Sequence, residues 1–227
     1  MLPAINPQRF ARILRSESVV VAGCIKHPLI DRLKNRTRNL PVNHYKLMHH
    51  IDEDIRQLSE DSAITSVLRH YLKSEPVLLE ATLSVTEGAN ASSQNTFHFD
   101  YAGWESVNVF VYLTNVSRQS AHHTVIKGSH LDIRLRDIFR GVLSHGDADI
   151  RFGARITPII GEAGTLFFEN TEAFHCRHLA PERRVLLNLL YASHKSCLSR
   201  GRTSKQHIKR RAAEYRRFVN SLATRPS

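Results

Sequence analysis

Short apolar segments of strand length occupy the middle of this 227-residue chain. The clearest of them span residues 107–113, 164–168, 174–178 and 183–191. They are bounded by turn-forming residues, as β-strands usually are. Outside residues 77–192 the apolar residues instead follow helical spacing, notably within 52–72 and 204–222. The sequence therefore predicts a mainly β core with flanking α-helices.

Four His-x-Asp triplets occur, beginning at His50, His98, His130 and His145. On a strand, residues two apart project to the same face and can bind one metal ion together, whereas on a helix they diverge. His50 and His130 lead into helical patterns, and His145 is expected in a surface turn. Only His98 lies between a turn-rich loop and a buried strand. We therefore select His98 and Asp100 as two candidate metal ligands, of the kind found in the 2-His-1-carboxylate iron sites.

A third ligand is expected near residue 175. Residues 179–182 separate two strand candidates and predict a hairpin in which position 177 pairs with 184. His175 and Arg184 would then share one face, with Arg184 suited to bidentate binding of a carboxylate. A loop longer or shorter by one residue would exchange Arg184 for Arg183.

The order of several short blocks resembles the phytanoyl-CoA dioxygenase family of Fe(II)/2-oxoglutarate oxygenases. These blocks are His98-Phe99-Asp100, residues 109–115, residues 125–130 with Gly-Ser-His, residues 161–164, and Phe174-His175 followed by Arg184. The resemblance covers about residues 76–193. It departs from the family pattern before the Gly-Ser-His, where this chain has Ser120-Ala121-His122-His123 and Lys127.

The resemblance implies a double-stranded β-helix, a jelly-roll barrel of the cupin type. It further implies that His98, Asp100 and His175 hold Fe(II), that Arg184 binds the distal carboxylate of 2-oxoglutarate, and that Thr165 adds a hydroxyl there. Hydroxylation with release of succinate and CO2 is the expected reaction. A carboxylate at Asp100 disfavours halogenation, while desaturation, cyclisation and epimerisation remain open.

The substrate is expected to be a small or carrier-attached metabolite, and it could be anionic. Molecular oxygen is the expected second reactant. Five residues near the metal strand are candidates for its pocket: Tyr101, Trp104, Asn108, Phe110 and Tyr112. We expect one domain, with residues 1–75 as helical support or lid, 76–193 as the barrel and 194–227 as a basic C-terminal helix.

The formal charge of +11 is concentrated near the C-terminus, where residues 200–217 carry eight Lys or Arg against Glu214 alone. A solvated helix face is the simpler interpretation, and nucleic acid is an unlikely partner because no recognised binding signature is present. The alternative function is a non-catalytic basic barrel that binds nucleic acid or another anion through this helix. No apolar run is long enough to span a membrane, no signal peptide is evident, and three widely spaced cysteines favour a reducing cytoplasm.

Overall fold

The structure is a computed structural model that describes residues 5–47, 52–100 and 105–193. Within these residues eleven β-strands form two antiparallel sheets. The strands are β1 Val19–Cys24, β2 Asn43–Leu47, β3 Val77–Thr86, β4 Phe97–His98, β5 Ser106–Tyr112, β6 His123–Ile126, β7 Val142–Leu143, β8 Ile156–Ile159, β9 Thr165–Glu169, β10 His175–Arg177 and β11 Arg184–Ala192. The helices are α1 Pro7–Glu17, α2 Pro28–Thr37, α3 Glu53–Ser59, α4 Ser62–Leu72, α5 Leu135–Arg140 and α6 His145–Phe152.

The six-stranded sheet has the order β1-β9-β5-β11-β3-β2, and the five-stranded sheet has the order β7-β4-β10-β6-β8. Alternation along the strands of the larger sheet divides its side chains between two cores. On β9, Leu166 and Phe168 face the helices α1 to α4, whereas Phe167 faces the smaller sheet. The result is the expected jelly-roll barrel, supported by helices on one side.

The helical pattern of residues 52–72 forms two helices rather than one. α3 ends at Ser59, and the side chain of Asp61 caps α4 by accepting hydrogen bonds from the backbone N–H groups of Ala63 and Ile64. A carboxylate in this position satisfies amide groups that have no partner inside the helix. The break therefore falls at a strong N-cap residue inside an otherwise continuous apolar pattern.

The predicted hairpin between the last two strands is wrong. β10 pairs with β4 and β6 in the smaller sheet, whereas β11 pairs with β3 and β5 in the larger one. Residues 178–183 therefore cross from one sheet to the other. Position 177 lies opposite His123, and position 184 lies opposite Thr86. Consecutive strands of a jelly roll often change sheets, so closeness in sequence did not identify the pairing partner.

Two segments after the Gly-Ser-His differ from expectation. α5 forms where helical spacing predicts it, but Leu135 and Phe139 are 71% and 82% exposed, while Asp137 is buried and pairs with Arg151. His145 begins α6 and does not lie in a surface turn. No helix among the described residues is long and apolar enough to cross a membrane. The predicted C-terminal helix, residues 204–222, lies outside the described ranges.

Candidate metal centre

The strands β4 and β10 bring the three predicted ligands together. His98 and His175 are direct register partners, with ring centroids 4.5 Å apart. Asp100 follows β4, and its backbone N–H donates to the carbonyl of Thr171 at 2.7 Å. One ligand atom from each of His98, Asp100 and His175 lies within 4.8 Å of the others. The three side chains thus converge, as a metal site with three protein ligands requires.

Backbone carbonyls orient both imidazoles of this cluster. Nδ1 of His98 lies 2.9 Å from the carbonyl oxygen of Thr96, and Nδ1 of His175 lies 2.9 Å from that of Ala173. A carbonyl can only accept, so each Nδ1 carries a proton and, in the neutral form of the ring, Nε2 keeps its lone pair. Nε2 of His98 is buried with no hydrogen-bond partner among the described residues. Nε2 of His98 is therefore free to bind a metal ion, and Nε2 of His175 faces the carboxylate of Asp100.

Burial also keeps the third ligand in its metal-binding form. His175 is buried in the barrel, and burial lowers its pKa to about 4, with Glu169 nearby acting in the opposite direction. The imidazole is therefore neutral at pH 7. Nε2 of His175 lies 3.7 Å from Oδ2 of Asp100. Two imidazoles and one carboxylate form the donor set of a mononuclear iron site with open positions.

The other His-x-Asp triplets do not form such a site among the described residues. Nε2 of His130 lies 3.1 Å from the carbonyl of Arg15, and Nε2 of His145 lies 2.8 Å from the carbonyl of Asn95. Both histidines are therefore engaged by backbone carbonyls. His50 lies outside the described ranges.

Arg184 opens β11 with its side chain inside the barrel. It is 3% exposed, and its Nε and Nη1 atoms have no hydrogen-bond partner among the described residues. It forms no ion pair with any of them, and the buried hydroxyl of Thr86, its register partner, also lacks a hydrogen bond. Burial lowers the pKa of Arg184 to about 10, so the guanidinium remains charged at pH 7. A buried cation without an acid is costly, and an anionic ligand would offset that cost.

Arg183, the alternative anchor, points away from the barrel. Its guanidinium contacts Oε2 of Glu87 at 2.9 Å and the carbonyl of Leu40 at 2.6 Å. Only one of the two adjacent arginines is therefore available inside the barrel. The structure places Arg184 inward even though the hairpin used to predict this does not exist.

Thr165 begins β9 at the tight turn that precedes it. Its hydroxyl donates to the carbonyl of Glu162 at 2.7 Å. A Cβ added to Gly161 would lie 2.2 Å from Oγ1 of Thr165, so this turn needs glycine there. The described contacts of Thr165 are local, and its role in cosubstrate binding stays a prediction.

Three of the five predicted pocket residues lie on the inward face of β5. The amide of Asn108 donates to Oδ1 of Asn188 at 2.9 Å, and the ring of Phe110 stacks on Phe167 with centroids 4.9 Å apart. The hydroxyl of Tyr112 donates to the carbonyl of Ile159 at 2.8 Å. These side chains form the inner wall of the barrel. Tyr101 and Trp104 lie outside the described ranges.

Sequence reasoning missed two buried residues beside the metal ligands, His123 and Glu169. Oε2 of Glu169 lies 2.7 Å from Nε2 of His123, though without hydrogen-bond alignment, and Oε1 lies 3.9 Å from Nδ1 of His175. Burial raises the pKa of Glu169 to about 8 and lowers that of His123 to about 3. The available signal was an acidic residue at the end of the apolar strand Thr165–Glu169.

No protein-family model and no curated protein sequence matches this chain. Solved structures do match it. The fold is that of the non-haem 2-oxoglutarate-dependent enzymes. SnoN, an α-ketoglutarate-dependent epimerase from nogalamycin biosynthesis, aligns with a TM-score of 0.63 and 17% identity over 82% of this chain and 83% of its own.

Two further matches carry ligands of this chemistry. EctD from S. alaskensis, solved with 2-oxoglutarate and 5-hydroxyectoine, gives a TM-score of 0.64 and 16% identity over 85% of this chain and 83% of EctD. HygX from Streptomyces hygroscopicus, with nickel and 2-oxoglutarate bound, gives 0.65 and 14% identity over 87% of this chain and 95% of HygX. At these identities the likeness establishes the jelly-roll fold. It does not identify the phytanoyl-CoA dioxygenase family itself.

Proposed function

We propose that this protein is an Fe(II)/2-oxoglutarate-dependent dioxygenase that hydroxylates an aliphatic carbon of a small or carrier-attached metabolite. One observation carries the proposal. Two imidazoles converge with a carboxylate in a barrel that also contains a buried arginine with no acidic partner among the described residues. The first group suits a metal ion with open positions, and the second suits the far end of a dicarboxylate.

His98, Asp100 and His175 are the proposed iron ligands. Their donor set fits Fe(II), since backbone carbonyls orient both imidazoles and the carboxylate supplies negative charge. When bound, the iron supplies a centre at which 2-oxoglutarate and O2 react to give succinate and CO2, with the second oxygen atom passing to a C–H bond of the substrate. These three residues would hold the metal from one side, which would leave its other side for these reactants.

Arg184 is the proposed anchor of the distal carboxylate of 2-oxoglutarate. The guanidinium carries parallel N–H donors that match a carboxylate, and burial strengthens such a charge-assisted pair. The hydroxyl of Thr86 also lacks a hydrogen-bond partner within the described part of the chain and lies opposite Arg184 in the strand register. We propose it as a further donor, alongside the contribution predicted for Thr165. These contacts would orient the cosubstrate before oxygen arrives.

The proposed substrate-contacting residues are Tyr101, Trp104, Asn108, Phe110 and Tyr112. Hydroxylation is the default outcome, because it needs only transfer of an oxygen atom to the carbon that lies next to the metal. The epimerase activity named for SnoN belongs to that protein. In this chain the outcome would depend on which substrate atom the wall of β5 holds towards the metal.

Succinate formation tests the proposal. Purified protein with Fe(II), O2 and 2-oxoglutarate is screened against candidate metabolites, and succinate is quantified. We expect succinate release that rises with the correct substrate and disappears in His98→Ala. The matched control is His145→Ala, which removes an exposed histidine from another His-x-Asp triplet and should leave turnover unchanged. If folded, iron-loaded protein forms no succinate, or if His98→Ala forms as much as the wild type, the proposal is wrong.

A further inference from the structure

Glu169 is a buried carboxyl group that none of the roles above uses. It ends β9 in the larger sheet and is 0% exposed. Its two oxygens approach two different imidazoles of the smaller sheet, with Oε2 2.7 Å from Nε2 of His123 and Oε1 3.9 Å from Nδ1 of His175. One carboxyl group therefore spans the interior and touches both a proposed metal ligand and its neighbour.

Because the side chain of Glu169 has no exposed surface, it can contact only the residues packed around it. No water-sized space lies beside its side chain, so a substrate group could not reach the carboxyl without displacing the residues around it. Among the described residues, its charged or polar neighbours inside the barrel include His123 and His175. Any influence on the reaction would therefore pass through these imidazoles.

His123 is itself held firmly and lies against the metal ligand. Its ring stacks on that of His175, with centroids 5.3 Å apart and an interplanar angle of 23°. On other sides it meets Phe110 and Phe167, with centroids at 5.3 and 5.7 Å. Its backbone N–H donates to the hydroxyl of Tyr112 at 3.1 Å. The Glu169 carboxyl therefore lies against Nε2 of a ring that stacks on His175.

We propose that Glu169 is a positioning residue for the metal centre, acting on His175 both at its Nδ1 side and through the stacked ring of His123. The inference rests on the proposed function only in taking His175 as a ligand. Outer residues that orient metal-binding imidazoles commonly change metal affinity by ~10–100-fold when removed. The contacts of Glu169 with His123 and His175 also connect the larger sheet with the smaller sheet beside the proposed metal site.

Binding of Co(II) alone tests this role without turnover. Apo-protein is titrated with Co(II), and affinity and the visible absorption of bound Co(II) are both measured. We expect Glu169→Leu to bind Co(II) about 10–100-fold more weakly with an altered spectrum. Glu169→Gln keeps the shape and a polar contact to His123, so it should recover to within about threefold of the wild type, on the order of half a decade in affinity. Binding by Glu169→Leu within about twofold, with an unchanged spectrum, would overturn the proposal.

A control separates positioning from general loss of stability. Asp137 is a second buried carboxyl, paired with Arg151 at 2.7 Å in a different part of the fold. Asp137→Leu should lower stability yet leave Co(II) affinity and spectrum unchanged. If it weakens Co(II) binding as much as Glu169→Leu does, the effect of Glu169 is merely structural and the proposal fails.

Two further results keep the test decisive. If Glu169→Leu does not fold, His123→Phe replaces it, because phenylalanine preserves the ring stack and removes Nε2. We expect about 10-fold weaker Co(II) binding, at the lower end of the range for such residues, and wild-type binding would refute the role. Wild-type protein that fails to bind Co(II) would instead refute the proposed metal site, so the two failures are distinguishable.

Discussion

Replacing Arg184 by methionine should have opposite effects on cosubstrate binding and on the stability of the apo-protein. The guanidinium is buried, charged at pH 7 and without an acidic partner among the described residues. In the apo-protein it therefore contributes a desolvation cost with no matching attraction. With 2-oxoglutarate bound, the same group would face a carboxylate in a low-dielectric interior. Replacing Arg184 therefore allows its effect on apo-protein stability to be measured separately from its effect on 2-oxoglutarate binding.

The expected magnitudes follow from this burial. Removing one partner of a buried, hydrogen-bonded charge pair costs roughly 2–5 kcal/mol of binding free energy. At about 1.4 kcal/mol per factor of ten, the Kd for 2-oxoglutarate should rise by about 30-fold to several thousand-fold. Replacing a buried charge by an apolar side chain of similar length is often neutral or stabilising by ~1–4 kcal/mol. The free energy of unfolding of the apo-protein should therefore stay constant or increase.

Isothermal titration with 2-oxoglutarate and urea unfolding of the apo-protein measure the two quantities. Arg183→Met is the matched control, since Arg183 is the adjacent arginine and contacts Glu87 and the carbonyl of Leu40 outside the barrel. It should lose about 1 kcal/mol of stability and bind 2-oxoglutarate normally. If Arg184→Met instead loses stability while keeping wild-type affinity, Arg184 is a structural residue and not the anchor.

Four further substitutions probe the site and its surroundings. His98→Ala and Asp100→Ala should each lower Fe(II) affinity by more than ~100-fold in a direct metal titration, since losing a ligand weakens metal binding more than losing a group that orients a ligand. Near-normal Fe(II) binding by either variant would show that the replaced residue is not a ligand. Burial lowers the pKa of His122 to about 4, below the ordinary value of 6.5. The unfolded chain therefore binds more protons between pH 4 and 6.5, so this histidine makes stability fall as the pH drops through that window, by at most about 3 kcal/mol. His122→Gln should flatten the fall in urea unfolding curves, and an unchanged pH profile would contradict this. Tyr112→Phe removes a hydroxyl that donates to the carbonyl of Ile159 and accepts from the backbone N–H of His123. It should therefore lower the free energy of unfolding by about 1–2 kcal/mol and leave Fe(II) affinity at the wild-type value. A variant as stable as the wild type would show that the two hydrogen bonds contribute nothing net to stability.

Local patterns in the sequence predicted several strands and the pair of candidate ligands His98 and Asp100, because both depend on periodicity along one segment. Strand alternation predicted that His98 and Asp100 share one side, and the two side chains do converge although β4 ends at His98. Apolar runs are enough to locate β5, β9 and β11. Which strands pair is a property of the whole fold. For that reason the pairing predicted between β10 and β11 was wrong, although His175 and Arg184 both lie inside the barrel.

Residues that act across the interior were harder to predict. Glu169 and His123 are 46 positions apart in the numbering and belong to different sheets, so nothing local connects them. Their proximity becomes visible only once both sheets and their registers are known. The orientation of α5 shows a similar limit. Helical spacing marked the apolar stripe that includes Leu135 and Phe139, but it did not indicate that this stripe faces outward while Asp137 is buried.

The most direct test of the account is an anaerobic titration of the Fe(II)-loaded protein with 2-oxoglutarate, followed by visible absorption. Without oxygen the cosubstrate is not consumed, so the measurement reports binding at the metal alone. We expect a charge-transfer band that saturates with 2-oxoglutarate and is absent in Asp100→Ala. Folded, iron-loaded wild-type protein that develops no such band would contradict the assignment of His98, Asp100 and His175 as an iron site that binds 2-oxoglutarate.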